Sequence, residues 1–151
     1  MATISNDHEL KTHLDTLDNT RQRVVGGLFV QKVLELCDDP RVKRAVDVAV
    51  DGDATDAMID DAFRSAKAVA VKTYTDCGKD TDWMSQAAHF VAAAAAAALA
   101  PEGQRGKDNP AWKAAMQSRM ARNCEMIEHQ DGGAHNEAEV QYELASGFGT
   151  S

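Results

Sequence analysis

The side chains best suited to chemistry in this chain are His89, set among alanine and phenylalanine, and three widely spaced cysteines, Cys37, Cys77 and Cys124. A buried neutral imidazole needs a hydrogen-bond partner, and its unprotonated nitrogen can ligate a metal. The cysteines all fall near the C-terminal ends of expected helices, so a bundle could gather them at one pole. Three thiolates and one imidazole would then suit zinc. The spacing has none of the close pairs that mark zinc sites, however, and free cysteine is among the most buried residue types. Core packing is the expected role of all three.

A second cluster runs Cys-Glu-Met-Ile-Glu-His over residues 124–129. Di-iron carboxylate bundles need Glu-x-x-His on two helices and single glutamates on two more. Here Glu125 meets Glu128 at that spacing, His129 falls one position late, and no second copy exists. A solvated last turn of a helix is the simpler reading. Asp51, Asp53, Asp56, Asp60 and Asp61 invite comparison with a calcium-binding EF-hand loop, which wants Asp at position 5, Gly at 6 and Glu at 12. Counted from Asp51, those places hold Thr55, Asp56 and Ala62. Helix capping explains the acids without an ion. There is no nucleophile elbow, Walker loop or dinucleotide fingerprint. No catalytic residue is assigned and no cofactor is expected.

The elements that must carry these residues all read at helical period, and no segment alternates as a strand does. Asn6 with Glu9 starts a short helix through Leu17, and Asp18 caps a longer one from Asn19 to Cys37. Within it, Gly26-Gly27 marks a tight helix crossing. Asp39-Pro40 opens a third helix ending near Gly52. Thr55 caps a fourth, whose stripe runs Ile59, Ala62, Phe63, Ala66, Val69, Ala70, Thr73, Tyr74 and Cys77 before Gly78. The fifth starts near Asp80 or Thr81 and ends in seven consecutive alanines. A helix apolar all round is buried all round, so it belongs at the centre, with Ala93, Ala94, Ala96 and Ala97 touching other helices. Asn109-Pro110 opens the sixth.

The expected fold is therefore all-α, a compact bundle of about six helices over residues 1–129. A flexible acidic C-terminal arm follows over residues 130–151, with a short helix near Asn136 to Ala145. That arm holds four acids and no base, and its sizeable apolar groups are Val140, Tyr142, Leu144 and Phe148. So small a stripe cannot fold alone. These four residues are the expected contact with a partner chain or a second copy.

Alanine contributes 26 of the 151 residues, which favours close helix packing over a bulky core. The net charge of −8 repels phosphate backbones and anionic membranes, leaving a protein partner or a homo-oligomer as the expectation. The most apolar window, from Trp83 to Ala100, holds Ser85, Gln86 and His89 and is not expected to span a membrane. Few cysteines and no signal-like N-terminus fit a soluble cytoplasmic protein.

Residues 38–100 also resemble the alanine-rich helical domain of immunity proteins from bacterial polymorphic toxin systems. Asp39, Arg41, Ala45, Ala49, Gly52, Ala66, Ala70 and His89 occupy the places of that pattern. The resemblance implies binding and blocking a toxin partner, and it transfers no catalytic residue. A non-enzymatic protein-interaction module is the leading expectation. A structural or cargo subunit, and a small metal-binding protein or enzyme, are the alternatives.

Overall fold

A computed structural model describes residues 3–77, 82–101, 103, 108–129 and 135–148, the side chains of 75–77 excepted. Among the described residues seven α-helices succeed one another: α1 (Asp7–Asp15), α2 (Asn19–Gln31), α3 (Pro40–Ala49), α4 (Asp56–Cys77), α5 (Trp83–Leu99), α6 (Pro110–Glu128) and α7 (Glu137–Ser146). Among the described residues there is no strand. No helix among them is long and apolar enough to cross a membrane.

Side-chain caps set most of the helix starts, because the first backbone N–H groups of a helix have no partner within it. Asn6 Oδ1 accepts from Glu9 N at 2.9 Å, Asp18 Oδ1 from Arg21 N at 2.8 Å, and Thr55 Oγ1 from Met58 N at 3.1 Å. Asp39 and Asn109 cap helices that open with proline, as the sequence predicts. Asp82 caps α5, and Asp80 and Thr81, near which its start was expected, lie outside the described residues. Gly78, the expected stop of α4, lies outside the described residues.

The second helix is shorter than expected. It ends at Gln31, and a 3-10 turn over Leu34–Leu36 replaces the stretch to Cys37. A spacing of three suits both helix types, so Val30, Val33 and Leu36 stay buried through the change. The break frees the Lys32 carbonyl, which accepts a hydrogen bond from Arg122 Nη2 at 2.7 Å.

Helix α5 is the hub, packed against α2, α3, α4 and α6. Its Ala87, Val91, Ala94, Ala95 and Ala98 are buried, and small side chains let the neighbours come close. The two glycines of α2 serve the same end. A Cβ on Gly26 would lie 3.1 Å from Ala98 Cβ and 3.3 Å from Ala111 Cα. The expected tight crossing is there, with α5 and α6 on one side of α2 and α3 on the other.

The short helix expected near Asn136 to Ala145 is present as α7 and packs on the bundle. Helix α7 lies on α1, α2 and α6, with Gln141 and Ala145 fully buried. Gln141 donates to Ala115 O at 2.9 Å and accepts from Arg119 Nε at 2.8 Å. Arg119 also grips Asp7 with two bonds of 2.8 and 3.1 Å, and the Tyr142 hydroxyl donates to the same carboxylate at 2.7 Å. Arg122 Nε lies 3.1 Å from the buried Glu137. The arginines that hold this acidic segment come from α6, and His13 Nε2 of α1 lies 2.9 Å from Phe148 O. Residues 130–134 of the expected linker lie outside the described residues.

Candidate functional site

Helix α5 is not covered on every side by the described residues. Ala93, Ala96 and Ala97 are half-buried and, with Ala100, floor an open groove of about 450 Å³. Phe63, Lys67, Ala70, Val71 and Tyr74, recurring at helical spacing on α4, form one wall. Pro110, Lys113 and Gln117 of α6 form the other. The groove exists because α4 and α6 both flank α5, and no described element lies over the strip between them. Cavities of this size with an apolar lining and a few polar groups are the usual form of a binding site.

The polar groups have a definite character. Thr73 Oγ1 donates to Val69 O at 2.7 Å and lies 3.0 Å from His89 Nδ1. With its own proton committed, the hydroxyl oxygen accepts from Nδ1–H, which makes Nε2 the unprotonated nitrogen. Burial pushes the His89 pKa down, so the ring is neutral at neutral pH. The ring also stacks edge-on against Phe90 at 5.3 Å and lies 5.8 Å from the Tyr74 ring. Lys67 sets its ammonium 5.5 Å from the centre of the Phe63 ring. Gln117 Oε1 is buried without a hydrogen-bond partner among the described residues. Among the described residues no carboxylate lines the groove.

The other candidates are dispersed. Cys37 is half-buried beside the main core, where burial raises its thiol pKa, and Cys124 is buried inside that core. The side chain of Cys77 lies outside the described residues. Glu125 is bonded to Arg122 at 2.7 Å, while Glu128 and His129 are exposed at the end of α6. Among the described residues, no three His, Cys, Asp or Glu side chains group to hold a metal. Asp51 orders its own turn by accepting from Asp53 N at 2.9 Å.

The residues expected to meet a partner are engaged within the chain. Tyr142, Leu144 and Phe148 pack against the smaller core formed by α1, α2 and α6, and Val140 is half-buried. The exposed apolar groups lie elsewhere. Tyr74, placed by its period in the core stripe of α4, is 73% exposed, and Val71 is 59% exposed. Lys67, Val71, Lys113 and Gln117 carried no motif. The signal available was the excess of apolar faces, since α4 has Val71 outside its stripe and α5 is apolar all round.

Comparison of the chain with protein-family models, with curated proteins and with solved structures finds no match.

Proposed function

We propose that this protein is a non-enzymatic protein-interaction module that holds its partner in the groove between α4, α5 and α6. One observation carries the reading: the described residues leave the alanine strip of the central helix uncovered, with Val71 and Tyr74 exposed beside it. Contiguous exposed apolar surface of this sort marks interaction sites on soluble chains. Immunity-type inhibition of a toxin is the version that the sequence resemblance implies. The groove gathers one neutral histidine and two lysines, a set suited to orienting a bound group.

The test is affinity purification of the tagged chain from its native host, wild type beside Ala97→Arg. A stoichiometric protein recovered with the wild type and lost with the variant is the expected result. Recovery of the same proteins with both chains would sink the groove as the contact surface. Helicity measured by circular dichroism guards against an unfolded variant.

A further inference from the structure

We infer that the groove is also a small-molecule site, for an apolar ring system that carries an N–H or O–H donor. This goes beyond the interaction reading and does not depend on it, because such a ligand binds the purified chain without a partner. Two hydrogen-bond acceptors ask for the donor. Thr73 Oγ1, with its own proton given to Val69 O, takes Nδ1–H of His89 and so leaves the lone pair on Nε2. Among the described residues Nε2 has no hydrogen-bond partner. Burial, which outweighs the Ala70 carbonyl beside the ring, keeps the imidazole neutral, so Nε2 remains an acceptor at neutral pH. The second acceptor is Gln117 Oε1 of α6, buried without a partner among the described residues. An acceptor left unpaired in an apolar setting costs free energy that a bound donor recovers. The terminal amide of Gln117 can turn to meet it, since that torsion is soft.

The surroundings set the rest of the ligand. Ala93, Ala96 and Ala97 give a floor without long side chains, and the rings of Phe63 and Tyr74 stand on one wall. A flat ring system lies on such a floor and meets the aromatic rings edge-on or offset. The volume of about 450 Å³ falls within the usual range of small-ligand pockets. Depth favours a compact ligand. His89 is half-buried and Gln117 Oε1 is buried, so a donor reaches them only from inside the groove. An alanine floor alone would take any apolar surface. The two acceptors make the site selective, because a group built to receive a hydrogen bond discriminates against an analogue that lacks the donor.

Indole and indene test this on the full chain, since they share one shape and differ in N–H against CH2. Each is titrated into isotope-labelled protein while the amide and imidazole signals are followed by nuclear magnetic resonance. Indole should shift the amides of Ala93, Ala97 and Gln117 and bind at least threefold more tightly than indene. The preference for indole should disappear in at least one of His89→Phe and Gln117→Leu. Circular dichroism checks that both variants fold, and the half-buried Gln117 supplies the working variant if His89→Phe does not. Equal affinities for the two probes, or a preference unchanged in both variants, would overturn the donor assignment. Absence of groove shifts up to the solubility limit of indole would overturn the ligand site. So would shifts that persist in Ala97→Arg. Recovery of a partner protein from the host is a separate measurement, so either reading can fail while the other stands.

Discussion

Gly27 lies so close to Ala49 that a Cβ built on it would fall 2.9 Å from the Ala49 Cβ, and as near to Val50 Cγ1. Real side-chain atoms do not meet at that distance, so the crossing of α2 over α3 requires glycine. Gly27→Ala should destabilise the protein by about 1–3 kcal/mol through overpacking, less a helix-propensity gain of up to about 1 kcal/mol. Thermal unfolding should show a fall of several degrees. An unchanged or higher melting temperature would mean that α3 yields freely.

Removal of residues 130–151 should lower the melting temperature by about 10 °C. The truncation strips the cover from Leu10, Leu14 and Ala115, and it leaves Arg119 without Gln141 and Arg122 without Glu137. Burial opposes the charge on Arg122, but hydrogen bonds to Glu125, Glu35 and Glu137 outweigh it and raise its pKa. Losing one of these leaves a half-buried cation less well matched. A melting temperature unaffected by truncation would show that α7 contributes nothing to the bundle.

Ala94 and Ala96 should respond differently to enlargement. Ala94 is fully buried, and Ala94→Leu should cost about 1–3 kcal/mol in urea unfolding. Ala96 faces the groove, where Ala96→Leu should change stability by less than about 0.5 kcal/mol. Equal losses at the two sites would mean that the groove is filled in solution.

Burial holds the His89 pKa below the ordinary histidine value, so on acidification the unfolded chain takes up this proton first. The associated stability is present above about pH 6.5 and is lost as the pH falls through the folded value. Unfolding measured near pH 7.5 and near pH 5 should therefore differ more for the wild type than for His89→Gln. Nitrogen chemical shifts should also report the Nδ1–H tautomer. A wild-type difference no larger than that of the variant would remove the desolvation argument.

The sequence made most of the helices legible because their starts are written in caps: Asn6, Asp18, Asp39, Thr55 and Asn109 all act as their residue types predict. Gly26-Gly27 likewise announced a tight crossing. Two things were hidden by physics that period alone does not record. The end of α2 depends on Arg122, whose hydrogen bond to the Lys32 carbonyl joins segments 90 residues apart. The docking of α7 depends on Gln141 reaching Ala115 O, a polar side chain buried where a stripe analysis counts only apolar ones. The groove was half legible. An all-round apolar α5 pointed to complete burial, but only the packing shows that, among the described residues, α4 and α6 leave one strip open.

The alanine floor has a consequence for how recognition would evolve. Alanine has no rotamers to freeze, so contact with it costs this chain no side-chain entropy, and it offers no shape by which to tell one partner from another. Discrimination must then reside at the edges, in Lys67, Val71, Tyr74, Lys113 and Gln117. Those edge positions can drift without disturbing the buried faces of the hub helix. A lineage could thus exchange one partner for another by a handful of rim substitutions while the scaffold stayed the same.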